Sequence, residues 1–80
     1  MQNNIVGKGV RKARNLHIPK LTQEELAAKL QLLGWRINRG GVAKIESGVR
    51  QVTDKEILLL SEAVDVSIMY LFDISDQVLK

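Results

Sequence analysis

Basic side chains are concentrated in two stretches of the chain, and the first of these, residues 1–20, holds five basic side chains and no acid. Residues 34–50 hold four basic side chains against the single acid Glu46, whereas residues 51–80 hold two against six acids. Lysine and arginine donate hydrogen bonds to phosphate oxygens and to the O6 and N7 atoms of guanine. The four basic residues are Arg36, Arg39, Lys44 and Arg50. This asymmetry indicates a surface that faces a polyanion, with a chance excess of lysine and arginine as the alternative.

The side chains that could support catalysis or bind a metal ion do not form a recognisable set. The chain has one histidine, His17, and no cysteine. A capping or surface role is favoured for His17, and Glu24 and Glu25 diverge on a helix because they are adjacent. Neither a Ser–His–Asp set nor a phosphate-binding glycine loop can be identified. We therefore predict a protein without enzymatic activity, without a metal and without a cofactor.

Two short helices joined by a turn are expected to position the basic residues of the stretch 34–50. Thr22 and Glu25 have the spacing of a capping box, which predicts a helix over about residues 23–32. Asn38 is a suitable N-cap for a second helix over about residues 39–47. The outward face of this second helix carries Arg39, Gly40, Ala43 and Lys44. A small and basic face of this kind is expected of a helix that enters a DNA groove.

The segment before this pair of helices is predicted to form a helix over about residues 5–16, after a frayed terminus at residues 1–4. Gly7 and Gly9 weaken this helix by roughly 1 kcal/mol each relative to alanine. Pro19 disfavours helical backbone in the residue before it, so the helix should end ahead of that point.

The segment after the pair is predicted to form two more helices, over about residues 54–64 and 68–72. A second capping box, formed by Thr53 and Glu56, begins the first of these helices, and Ser67 caps the other. We expect three side chains of the last helix to close the core, namely Met69, Leu71 and Phe72.

Length and patterning indicate one all-α domain over residues 1–80. It contains a helix-turn-helix motif at about 22–48, two helices at about 54–72 and a short tail at 73–80. No strand pattern is present, and no apolar run approaches the roughly 18 residues of a membrane span. We therefore expect a cytoplasmic protein that does not associate with membranes.

Four segments resemble, in their order and spacing, the Cro/repressor-like helix-turn-helix proteins, also called the XRE family. They are LTQEELAAKL at 21–30, VAKIESG at 42–48, TDKEILLLSEAV at 53–64 and DVSIMYLF at 65–72. The resemblance covers about residues 5–72. It implies a five-helix bundle of the lambda-repressor-like DNA-binding type, whose third helix lies in the major groove.

The resemblance also implies roles for individual residues. Gln23 matches a position that usually holds a phosphate, and Arg50 matches one that contacts the DNA backbone. Arg14 and Glu46 match a pair that often forms an ion pair between the first and third helices. The positions that face base edges are matched by Arg39, Gly40, Gly41 and Lys44. This sequence departs from the family in its longer turn and in its paired glycines, where serine, threonine or glutamine is common.

Three residues at or beside the long turn are further candidates for contacts with the DNA backbone, namely Trp35, Arg36 and Asn38. The alternative for Trp35 is that it covers the turn against the neighbouring helices. The alternative for Lys44 is a solvated surface lysine.

These features predict a sequence-specific, double-stranded-DNA-binding transcriptional regulator that acts as a repressor. We expect a homodimer formed through the acidic C-terminal part, because such modules commonly read two half-sites. The alternative is a protein-interaction module, such as an antitoxin or antirepressor subunit, whose C-terminal face binds a partner protein.

Overall fold

Five α-helices follow one another along the computed structural model, which describes residues 2–73. They are α1 (Gly7–Leu16), α2 (Gln23–Leu32), α3 (Arg39–Glu46), α4 (Asp54–Val64) and α5 (Ile68–Leu71). The predicted all-α architecture is confirmed, and α2 and α4 have the predicted bounds. Helix α1 begins two residues later than predicted, and α3 and α5 each end one residue earlier. The predicted tail at 73–80 lies outside the described residues except for Asp73.

Helices α2 and α4 begin at the two predicted capping boxes. At α2, the Thr22 hydroxyl accepts from the Glu25 N–H at 3.0 Å, and the Glu25 carboxylate accepts from the Thr22 N–H at 2.8 Å. The hydrogen bonds from the Thr22 backbone and side chain hold the pKa of Glu25 below its ordinary value. Thr53 and Glu56 repeat this arrangement at α4 with distances of 3.1 and 2.9 Å. Each box satisfies donors that the helix leaves unpaired, so local sequence determines where both helices start.

The core lies between α1, which packs against α3, α4 and α5, and α2, which packs against α3 and α4. Its largest fully buried side chains are aliphatic: Val6, Val10, Leu26, Leu30, Val42, Ile45, Leu60, Val64 and Leu71. Phe72 packs against this core as a half-buried side chain. The expectation for Met69 was wrong, because this side chain is 84% exposed. In the single turn of α5, Leu71 takes the inward position instead.

Two glycines of α1 allow neighbouring backbone to approach closely. A Cβ at Gly7 would collide with the carbonyl oxygen of Ile45 on α3. A Cβ at Gly9 would lie 2.6 Å from the carbonyl oxygen of Leu71 on α5. The residues that lower the helix propensity of α1 are therefore the points at which this helix packs on its neighbours.

The segment ahead of α1 is held against the end of α3, so the expected frayed terminus is wrong for its described residues. Asn4 is buried, and its amide N–H groups donate to the carbonyls of Ile45 at 3.1 Å and Arg50 at 2.7 Å. Its amide oxygen accepts from the N–H groups of Val6 at 3.0 Å and Gly7 at 2.8 Å. Asn4 uses both donors and both acceptor sites, and it ties the start of α1 to the end of α3.

We expect Asn4→Ala to lower the free energy of unfolding by about 1–3 kcal/mol, because it leaves buried backbone groups unpaired. Asn3→Ala is the matched control. The Asn3 side chain donates to the Val49 carbonyl at 2.7 Å in an exposed position, so its loss should cost about 0.5–1.5 kcal/mol. Chemical denaturation measures both. An Asn4 variant that is as stable as the wild type would contradict this role.

Candidate nucleic-acid interface

The orientation of α3 is set by the side chains that it buries. Val42 and Ile45 are fully buried, and Glu46 on the same side is also buried. Since these positions cover one side of the helix, the opposite side faces solvent. Three of the predicted base-facing residues are exposed there, namely Arg39, Gly40 and Lys44. The structure therefore presents one small, basic strip along α3.

The two neighbouring glycines of α3 lie on different sides of the helix. Gly40 is exposed, and a Cβ there would meet only the Asn38 side-chain oxygen at 3.4 Å. Gly41 is buried, and a Cβ there would lie 2.6 Å from Ile37 Cγ1 and 3.2 Å from Arg50 Nη1. Gly41 was expected to face base edges together with Gly40. The structure instead places it on the inner side, where its missing side chain makes room for Ile37 and Arg50.

Arg14 and Glu46 form a buried contact between α1 and α3. Arg14 Nε donates to Glu46 Oε2 at 2.7 Å, and Arg14 Nη2 donates to Oε1 at 3.1 Å. The Glu46 side chain is fully inaccessible to solvent and that of Arg14 is 11% exposed. Arg14 Nη1 also donates to the Leu21 carbonyl, at 2.8 Å, just ahead of α2. This two-point contact fixes the position of α3 relative to α1 and to the start of α2.

Gln23 belongs to the same polar network. Its Nε2 donates to Glu46 Oε1 at 3.0 Å, and Arg11 Nε lies 3.5 Å from the same oxygen. A glutamine amide has two donors and one acceptor oxygen, so Gln23 keeps hydrogen-bonding capacity for another partner. The residue that was predicted to hold a phosphate is thus positioned by α3.

An open depression lies beside the N-terminal ends of α2 and α3. Its lining includes Lys20 and Thr22 just ahead of α2, Gln23 and the acidic Glu24 in the first turn of α2, and Arg39 at the start of α3. The N-terminal end of a helix favours negatively charged groups. Because Gln23 and Arg39 both line this depression, a predicted phosphate contact and a predicted base contact lie on one surface.

Trp35 covers the long turn between α2 and α3, which is the alternative to a DNA-backbone contact for this residue. Trp35 is 9% exposed and belongs to the hydrophobic core, whereas Arg36 beside it is exposed. Asn38 is exposed, and its side-chain oxygen caps α3 by accepting from the Gly41 N–H at 2.9 Å. The guanidinium carbon of Arg50 lies 5.6 Å from the centroid of the Trp35 ring. Of these four predicted backbone contacts, Arg36 and Arg50 carry the positive charge.

Two residues contact α3 in a way that the sequence patterns do not predict. Asn4 and Arg11 both reach the C-terminal half of α3, although each is more than thirty positions away along the chain. No local pattern around either residue marks this role. The glycines of α1 were a usable signal, because glycine within an apolar helical pattern often indicates close packing.

Within residues 2–73, no three histidine, cysteine, aspartate or glutamate side chains lie close enough together to hold a metal ion. None of the helices in this described part of the chain is both long enough and apolar enough to cross a membrane.

Comparison with known proteins agrees with this geometry. A family model described as helix-turn-helix matches residues 10–71, from within α1 to the last residue of α5. No curated protein and no solved structure is similar enough to count as a match. The matched span contains the capped α2, the basic strip on α3 and the buried pair that orients them. The chain therefore belongs to the helix-turn-helix family, in its Cro/repressor-like (XRE) branch, and has the lambda-repressor-like fold.

Proposed function

We propose that this protein is a sequence-specific regulator that inserts α3 into the major groove of double-stranded DNA and represses transcription. The observation that carries the proposal is the exposed strip of Arg39, Gly40 and Lys44 on a helix whose other side is buried. The major groove admits an α-helix and gives each base pair a distinct pattern of donors and acceptors. A helix presented in this way can bring its side chains to base edges while the bundle rests on the phosphates.

Arg39 and Lys44 are the base-reading residues in this proposal. Both are long donors on the exposed side of α3, and arginine can bond to guanine O6 and N7 at the same time. Gly40 between them has no side chain, so the helix backbone can approach the bases closely. Gly41 is not included, because it lies on the inner side of the helix.

The phosphate contacts in this proposal flank α3. Gln23 and Lys20 border the depression at the start of α2, while Arg36 and Arg50 lie at the long turn. Contacts with phosphates fix the register of a protein on the duplex but carry no sequence information directly. Asn38 and Trp35 support binding indirectly: Asn38 caps α3, and Trp35 covers the turn ahead of it.

Two alanine variants should distinguish a base contact, which depends on DNA sequence, from a phosphate contact, which does not. Arg39→Ala should cost about 1–3 kcal/mol of binding free energy on the preferred site and much less on random DNA. Arg50→Ala should weaken binding to both duplexes by about the same factor, because a phosphate contact does not depend on sequence. Equilibrium titration of each variant with both duplexes measures the specificity ratio. An unchanged ratio in Arg39→Ala would make Arg39 a phosphate contact and leave readout to Lys44 or to DNA shape.

We also propose that two copies pair through the acidic C-terminal part. Met69 on α5 is 84% exposed and Ile68 beside it is 38% exposed, which provides an apolar surface for pairing. Met69→Glu should then reduce dimer formation in sedimentation experiments, because a charge would be buried in the interface. Leu32→Glu is the matched control, since Leu32 is 88% exposed on α2.

A wild-type protein that stays monomeric, both alone and on a duplex with two half-sites, would contradict this pairing. It would favour the alternative in which the C-terminal face binds a different protein, as in an antitoxin or antirepressor subunit.

A further inference from the structure

The Arg50 side chain is folded back onto the long turn. Although Arg50 follows the C-terminal end of α3, its guanidinium carbon lies 5.6 Å from the centroid of the Trp35 ring, which precedes the helix. Trp35 is 9% exposed and Arg50 is half-buried. This distance is within the range in which a guanidinium is attracted to an aromatic ring. The positive charge of Arg50 is therefore located beside Trp35.

The main chain of Arg50 is fixed on both sides of its Cα atom. Its N–H donates to the Lys44 carbonyl at 3.2 Å, and its carbonyl accepts from Asn4 Nδ2 at 2.7 Å. The side chain therefore starts from a defined point at the end of α3.

Gly41 supplies the space that the folded-back side chain occupies. A Cβ at this position would lie 3.2 Å from Arg50 Nη1, which is closer than most real contacts of a Cβ atom. An alanine at position 41 would therefore press against the guanidinium. The same Cβ would lie even closer to Ile37 Cγ1, at 2.6 Å, so glycine at this point makes room for both Ile37 and Arg50.

At 5.6 Å from the ring centroid, the guanidinium is attracted to Trp35 through its charge and keeps N–H groups available for hydrogen bonds. Because the contact with Trp35 already restricts the side chain, less rotamer freedom is lost when it binds a phosphate. A lysine at the same position would keep the charge but lose the planar guanidinium.

We propose that Trp35 is a positioning residue for DNA binding, which holds the Arg50 guanidinium ready to contact a phosphate at the long turn. This inference rests on the proposed function, since it assumes that Arg50 meets DNA. Trp35 acts through Arg50 and does not itself have to touch the duplex.

The first test measures coupling between the two residues in DNA affinity. In the wild-type background and in Trp35→Phe, which keeps an aromatic face, Arg50→Lys should weaken binding by about two- to tenfold. In Trp35→Leu, which keeps an apolar side chain without a ring, the same change should weaken binding less than about twofold. Arg39→Lys is the control, because this exposed arginine is not stacked on Trp35 and should lose the same factor in all three backgrounds.

The second test uses fluorescence, because Trp35 is the one tryptophan of the chain. In the absence of DNA, Arg50→Lys should change the intensity or the maximum of tryptophan emission, whereas Arg39→Lys should leave both unchanged. Thermal melting of each variant establishes that it is folded. If Trp35→Leu does not fold, the fluorescence of Arg50→Lys still tests the contact.

Unchanged emission in Arg50→Lys would overturn the contact between Arg50 and Trp35. A wild-type protein that binds DNA, but in which Arg50→Lys costs the same factor in all three backgrounds, would overturn the positioning role alone. A wild-type protein that binds no duplex would overturn the proposed function and, with it, this inference.

Discussion

Replacing Glu46 by glutamine is expected to lower the free energy of unfolding by about 3–5 kcal/mol, because it leaves a buried guanidinium without a counter-charge. The Glu46 carboxylate is fully inaccessible, accepts two bonds from Arg14 and one from Gln23, and joins three helices. Its loss should therefore also loosen the start of α2 relative to α3. Chemical denaturation gives the stability change, and the affinity for DNA should fall in the same variant.

A double-mutant cycle tests whether this loss belongs to the pair. Arg14→Met should cost a similar amount, and the double variant should recover part of the loss because no unpaired charge remains. Arg11 is the matched control, since it also reaches Glu46, at 3.5 Å, but its side chain is 61% exposed. Arg11→Met should change stability by less than about 1 kcal/mol. Strict additivity of the Arg14 and Glu46 changes would contradict an energetic pair.

Gly7→Ala should lower the free energy of unfolding by about 1–3 kcal/mol, although alanine is the better helix former. A Cβ at this position would collide with the Ile45 carbonyl oxygen and lie 2.9 Å from that of Glu46, so α1 and α3 would have to separate. Because main-chain atoms cannot move aside as a flexible side chain does, the packing cost should exceed the gain in propensity.

Gly40→Ala is the control for this prediction. It makes the same change in a helix, but among residues 2–73 the new Cβ would approach just the Asn38 side-chain oxygen, at 3.4 Å. Its stability should stay the same or rise by up to about 1 kcal/mol. A Gly7 variant that is stabilised as much as the Gly40 variant would show that α1 and α3 do not approach as closely as described.

Those parts of the fold that depend on local sequence could be predicted. The Thr22 and Thr53 capping boxes determine where α2 and α4 begin, through bonds that span three residues. Asp65 ends α4 with a φ of 58°, in the left-handed region that aspartate tolerates better than most residues. These features can be read along the chain because each donor lies within one helical turn of its acceptor.

The parts that were not predicted depend on contacts between distant segments. Asn4 has no neighbour in sequence that indicates its bonds to Ile45 and Arg50, which exist only once α1 and α3 have packed. The exposure of Met69 follows from the shortness of α5, since one turn has room for few inward residues. Hydrophobicity alone predicts that Met69 is buried together with Leu71, whereas only Leu71 is.

In the candidate site, too, some positions could be predicted from local sequence and others could not. The exposed positions of Arg39 and Lys44 follow from the spacing of the buried Val42 and Ile45, so sequence periodicity was sufficient to place them. Gly41 lies one turn before the buried Ile45, so helical spacing places it on the inner side, where Ile37 and the Arg50 side chain fill the space beside it. The path of that side chain depends on a turn that is longer than is usual in the family, and no general rule about the motif predicts it.

Selection of bound duplexes from a random DNA library is the measurement that tests the central claim most directly. Wild-type protein should enrich a shared sequence motif. Its affinity for a duplex carrying that motif should exceed its affinity for a scrambled duplex by about a thousandfold or more at physiological salt. Both affinities should fall as salt rises, because Arg36, Arg39, Lys44 and Arg50 would displace counterions from phosphates. A library with no enriched motif, or an affinity that stays flat as salt rises, would contradict sequence-specific binding through α3.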